Sequence, residues 1–127
     1  MENRCIKNLL KLICLLQKNS ENKCSLEDGC TKPFLGPSMN NICYNTRVIT
    51  LYNKDNSLFT SNYINESGYQ EESSLFRVEK VFDNCATLLI LRKENNEYCS
   101  TGQTVTVKLE CICAIKCLED VIVNNLC

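Results

Sequence analysis

A mainly β, single-domain fold of β-sandwich or jelly-roll type, with one N-terminal amphipathic helix, follows from three features of the sequence. The chain has 127 residues, enough for one core and too few for two. From Cys43 onward, short β-branched and aromatic runs are separated by turn signals. Ahead of them stands one stretch whose apolar residues recur at helical spacing. The expected organisation is a helix and arm over 1–19, an irregular connection over 20–42 and a β core over 43–127.

Asn3 to Lys18 is the helix. Ile6, Leu9, Leu10, Ile13 and Leu16 form one apolar stripe, which Leu12 and Leu15 widen, while Arg4, Lys7, Lys11 and Lys18 are basic. Such a helix suits packing on its own β core or on a neighbouring subunit better than a membrane surface. Ser20 to Pro37 holds both prolines and reads as a connection. Val48 to Tyr52 is the first strand, and 53–56 a turn. Leu58 to Ile64 is the second, followed by a polar loop over 65–74. Leu75 to Phe82 alternates, and Asp83-Asn84 marks a turn. Cys85 to Leu91 is continuously apolar, as in a strand covered on both sides. A polar loop over 92–102 follows. Thr104 to Cys117 alternates over an unusual length, so it should bend or pass between two sheets. If extended, Val105, Val107, Leu109, Cys111, Cys113, Ile115 and Cys117 share one face.

Composition excludes several functions. Fourteen basic residues against 15 acidic ones give a net charge of −1. That balance does not suit a nucleic-acid binder that relies on counterion release. The chain has no histidine, which removes His-based acid–base catalysis, the usual nucleophile–His pairs and His-containing zinc sites. A thiol enzyme would also lack its base. No apolar run is long enough for a membrane span. Lys7, Asn8 and Lys11 interrupt the N-terminal apolar stretch, so no secretion signal is expected. The adjacent carboxylates Glu71-Glu72 and Glu119-Asp120 read as solvated surface. Asn65-Glu66-Ser67 matches a glycosylation sequon without an export signal to support it. No cofactor-binding motif is present.

Eleven cysteines are the outstanding feature. The number is odd, so one thiol at least lacks an intrachain partner. Only Cys113 and Cys117 have the close spacing of a zinc half-site. An intracellular metal-thiolate protein using Cys111, Cys113, Cys117 and a distant fourth thiol is the alternative reading. On one strand face these three stand too far apart for unstrained disulfides with each other. Cys85, inside an apolar run, suits a small buried hydrophobe. Cys5 and Cys127 lie near the two ends, good positions for crosslinks between molecules.

Several segments carry a family likeness. Glu2-Asn3-Arg4-Cys5 and Leu15-Leu16-Gln17-Lys18 resemble the N-terminal segment of the spore coat Y/Z and exosporium Y family of endospore-forming bacteria. Gly29-Cys30-Thr31-Lys32-Pro33-Phe34-Leu35-Gly36 is similar to its G-C-x-K-P-F-L-G motif. Cys43-Tyr44-Asn45-Thr46-Arg47 with Thr50-Leu51-Tyr52 resembles another segment. Phe76-Arg77-Val78-Glu79, Cys85-Ala86-Thr87-Leu88 and Cys113-Ala114-Ile115-Lys116-Cys117-Leu118 resemble three more. Lys7, Val48 and Cys113 depart from the family pattern.

The resemblance implies a structural, non-enzymatic protein. It would be made in the mother-cell cytoplasm and placed in the outer coat or exosporium. It would assemble with itself, as hexameric rings in a two-dimensional lattice, and with paralogous coat proteins, crosslinked by cysteine. On that reading Cys5 and Cys127, then Cys14, Cys24 and Cys99, are the intersubunit candidates. Cys30, Cys43, Cys85, Cys111, Cys113 and Cys117 are the intrachain or buried ones.

Overall fold

The structure is a computed structural model that describes the backbone of residues 4–26 and 44–123, and side chains over 4–18 and 44–123. It is mainly β with one N-terminal helix, in the class expected. Helix α1 spans Arg4–Leu26. It runs past Lys18 because no glycine or proline intervenes before Gly29. Leu10 and Ile13 are fully buried, and Ile6 and Cys14 flank them. The remaining leucines of the widened stripe, Leu9, Leu12, Leu15 and Leu16, are exposed. The helix is thus apolar over more of its circumference than one packing face can use.

The strands are β1 (Thr46–Asn53), β2 (Ser61–Ile64), β3 (Gln70–Ser73), β4 (Leu75–Phe82), β5 (Cys85–Glu94), β6 (Glu97–Lys108) and β7 (Ile112–Val121). Five form an antiparallel sheet in the order β6-β5-β4-β1-β7, and β2 pairs with β3 in a separate hairpin. Strand β2 begins at Ser61, not Leu58, which makes only an isolated bridge to Tyr52. Two segments read as loops also contain strand. The polar segment 65–74 contains β3, because Asn65 and Gly68 close a tight turn that returns the chain onto β2. The Asn65 side chain accepts from the amides of Ser67 and Tyr69 at 3.0 and 2.9 Å, and Gly68 sits at φ 85°. The segment 92–102 is the end of β5 and the start of β6. Asn95 and Asn96 take φ of 52° and 65°, the two left-handed residues that a two-residue hairpin turn demands.

The long alternating segment breaks in the middle. A 3-10 turn over Leu109–Cys111 separates β6 from β7. These strands occupy the two ends of the strand order. In a flat sheet they would lie about 19 Å apart, at roughly 4.8 Å per strand. Three residues of 3-10 turn advance only about 6 Å. The sheet must therefore roll over on itself, and its weak seam shows where. β1 and β4 share one registered pair among the described residues, Ile49 with Phe76. The β1–β7 ribbon folds at this seam relative to β4, β5 and β6. The strands still form open sheets.

Two apolar clusters result. The larger joins Leu10 and Ile13 of α1 to Ile49, Leu51, Phe76, Val78, Leu88 and Ile90, with Tyr63 of the hairpin. The smaller gathers Val48, Leu89, Leu91, Tyr98 and Val123. Strand β5 therefore feeds alternate residues into both, as its unbroken apolar run predicts. Gln17 anchors the helix. It is buried at 4% exposure, donates to the Val78 carbonyl at 2.9 Å and accepts from the Arg47 amide at 3.0 Å.

Burial first, and the Glu119 side chain next, push the phenol of Tyr98 on β6 up to about 12. The fold favours the neutral phenol. Its stabilisation is complete below the ordinary tyrosine value near 10 and is lost as pH rises through about 12. An ultraviolet titration of Tyr98→Phe should lose one phenol that ionises above the ordinary range. Retention of that step would place it on another tyrosine.

Candidate functional site

The chemistry available on the surface is thiol chemistry, and the fold decides which thiols reach solvent. Cys5 is exposed near the start of α1. Cys111, Cys113 and Cys117 are exposed as well. The continuous inward face from Val105 to Cys117, expected for one extended strand, does not form. Cys111 lies in the 3-10 turn, which rotates the chain. Strand β7 then carries two extra residues against β1. Asn53 and Tyr52 face Ile112 and Ala114, which skips Cys113, and Val48 and Ile49 face Glu119 and Cys117, which skips Leu118. Such bulges re-aim side chains and blunt an edge strand. Cys113 accordingly stands off the ladder, its Sγ 3.9 Å from Asn56 Oδ1.

Cys14, Cys85 and Cys99 are half-buried. Cys14 lies on the inner side of α1, with its thiol 3.5 Å from the Glu79 carbonyl oxygen. Cys24 lies within α1 and its side chain is not among those described; Cys30, Cys43 and Cys127 lie outside the described residues. The seven described cysteines are all free thiols. No three His, Cys, Asp or Glu side chains among the described residues come together as a metal site. Cys111, Cys113 and Cys117 therefore do not form the nucleus of the metal-thiolate alternative here. No helix is long and apolar enough to cross a membrane among the described residues.

Several charged groups are committed to structure. Arg47 of β1 forks onto Asp120 of β7 at 2.7 and 3.0 Å. The hydrogen bond from Arg47 holds the Asp120 carboxyl below the usual aspartate range. In a shallow polar depression, Tyr63 donates to Glu71 at 2.8 Å, and Arg92 pairs with Glu94 and Glu66. Arg77 of β4 is buried and donates to Thr46 Oγ1 and the Asn45 carbonyl at 2.9 and 3.1 Å, besides pairing with Glu79 at 2.7 Å.

Gln17 and Arg77 were not singled out as functional from sequence. Their signal was a polar residue at an otherwise apolar position of the helix or strand pattern.

A family model described as Spore coat protein Z matches residues 1–101. The chain belongs to this family. No curated protein and no solved structure matches it. Membership in the spore coat protein Z family gives the protein a structural role in the spore coat. The match takes in α1, Cys5 and strands β1 to β5, with the first part of β6. Cys111, Cys113 and Cys117 lie beyond the matched span. Within it, Phe76-Arg77-Val78-Glu79 supplies both a core ring and the buried Arg77.

Proposed function

We propose that this chain is a non-enzymatic building block of the outer coat or exosporium that assembles with itself, and with paralogous coat proteins, into a two-dimensional, hexagonal lattice. Non-covalent contacts set the geometry and disulfides then lock it. The observation that carries the reading is the set of exposed free thiols, Cys5 on α1 and Cys111, Cys113 and Cys117 at the β6–β7 turn and on β7, in a spore coat family member. An exposed thiol is accessible to a neighbouring chain. Each crosslink removes two protons and two electrons from a pair of thiols, with molecular oxygen as the acceptor. A subunit held at several interfaces dissociates only when all release together, so modest contacts give a durable shell.

Negative-stain electron microscopy of the protein, with and without reductant, tests assembly. Ordered sheets or rings are expected in both conditions, and dispersed single chains in both would refute the reading. Replacement of Cys5, Cys111, Cys113 and Cys117 together by Ser should leave sheets that form but dissolve in denaturant, whereas parental sheets persist. Equal resistance of the two would remove these thiols from the crosslinks.

A further inference from the structure

Helix α1 carries two longitudinal rows. Leu10, Ile13 and Gln17 face the core and are buried. Leu9, Leu12 and Leu16 form a second row about 100° round the helix, 36%, 50% and 42% exposed. Arg4, Lys11 and Lys18 stand about 130° from that second row, on another side of the helix. The leucine row leads to the point where the chain enters the sheet. Leu16 and Tyr44 line one depression, beside Arg47 at the start of β1. Residues 27–43, outside those described, join the end of α1 at Leu26 to Tyr44.

We propose that the stretch from Pro33 to Pro37 of this joining segment docks on the Leu9, Leu12 and Leu16 row of its own helix, with Phe34 and Leu35 as the contacts. The contact lies within one chain and is independent of the assembly reading above. Chain length and the two fixed ends carry it. Leu16 lies about 15 Å along the helix axis from Leu26, Leu12 about 21 Å and Leu9 about 25 Å. The segment must therefore come back along α1 to reach Tyr44, and it arrives on the side where Leu16 is exposed. Phe34 is eight residues from Leu26 and ten from Tyr44. Extended, those two arms reach about 27 and 33 Å, so Phe34 can lie over Leu12 or Leu9 with neither arm overstretched.

The segment has the residues for this contact. Pro33, Phe34, Leu35 and Pro37 are its longest apolar cluster, interrupted only by Gly36. The two prolines restrict the backbone beforehand, which lowers the entropy lost on docking. Its acidic residues, Glu27 and Asp28, lie next to the helix end and away from the cluster. A partner tethered at both ends acts at an effective concentration in the millimolar range. A second copy would have to displace it from free solution. An anionic membrane would need the basic side of α1, which is not the leucine side.

The test uses the full chain in reductant, so that disulfides do not fix the segment. Chymotrypsin cleaves after Phe34, and docking shields that bond. Leu12→Asp should raise the rate of cleavage there about tenfold, as read by mass spectrometry. Leu15→Asp, exposed on α1 but off the row, should leave the rate at the parent value. Circular dichroism verifies that both variants keep the fold. Equal rates in the parent and Leu12→Asp overturn the contact, and so does an equal rise in the two variants.

A second measurement identifies the occupant. Photoreactive benzoylphenylalanine is placed at Leu12, and isotope-labelled and unlabelled chains are mixed before irradiation. Adducts to residues 33–37 within chains of one isotope are expected. Adducts that join the two isotopes would give the leucine row to a second copy and overturn the intrachain contact. Adducts elsewhere in the same chain, or none at all, overturn it as well.

Discussion

Phe76→Ala should destabilise the protein by about 3–5 kcal/mol, the usual cost of removing a buried aromatic ring from a core. Phe76 is fully buried on β4 and its ring lies 5.4 Å from that of Phe59. It also sits at the registered pair with Ile49, where the β1–β7 ribbon meets β4. A cavity at this position removes packing from the seam as well as from the core. Domains of this size are stable by about 5–15 kcal/mol, so roughly a fifth or more of the margin is at stake. Urea unfolding followed by circular dichroism measures the loss. Native-state hydrogen exchange should show the amides of β1 and β7 exchanging earlier than those of β5. Phe76→Leu, which keeps most of the volume, should cost much less. A loss below about 1 kcal/mol for Phe76→Ala would mean that other contacts hold the ribbon in place.

The seam also marks the boundary of what sequence pattern can convey. The alternation of β4 and the apolar run of β5 are local signals, and both strands lie where the pattern put them. Strand β3 was hidden because Gln-Glu-Glu-Ser has no apolar face, and its pairing depends on the turn at Asn65 to Gly68. The β6 start was hidden by two asparagines that read as loop but form a two-residue turn. The break at Leu109 to Cys111 leaves the alternation almost intact. It arises because the rolled sheet must pass the chain from one edge strand to the other, a requirement set by distant parts of the sequence.

The same division applies to the thiols. Their number, the absence of histidine and the family motifs are all local, and they were enough to indicate a structural spore protein. Which thiols face solvent is a tertiary property. Cys113 is exposed through a bulge defined by its partner strand β1. Cys5 is exposed because Leu10, Ile13 and Gln17 fix the rotation of α1 about its axis, with Gln17 bonded to both β4 and β1. Helical periodicity alone found a broad apolar stripe and could not tell which part of it was inward.

Arg77→Ala should have the second large effect, about 2–4 kcal/mol, through loss of partners for buried polar groups. The guanidinium donates to the Thr46 hydroxyl and the Asn45 carbonyl, and also to Glu79. Glu79 is a third exposed, so it regains water and adds little to the cost. The two oxygens at the start of β1 have less access to water. Asn45 in turn clamps the end of the β7 segment. Its amide donates to the Val123 carbonyl at 2.9 Å, and its side-chain oxygen accepts from the Val123 amide at 2.9 Å. Loss of Arg77 should therefore be felt at Val123, a residue of the smaller core cluster, although that cluster does not include Arg77. Arg77→Met separates the contributions, because it keeps the apolar stem and removes only the donors. If hydrogen bonding dominates, Met should recover less than half of the stability lost in Ala. Amide exchange should then rise at Thr46 and Val123 in both variants. Full recovery in Met would assign the effect to packing, and the Asn45–Val123 clamp would have to stand without support from β4.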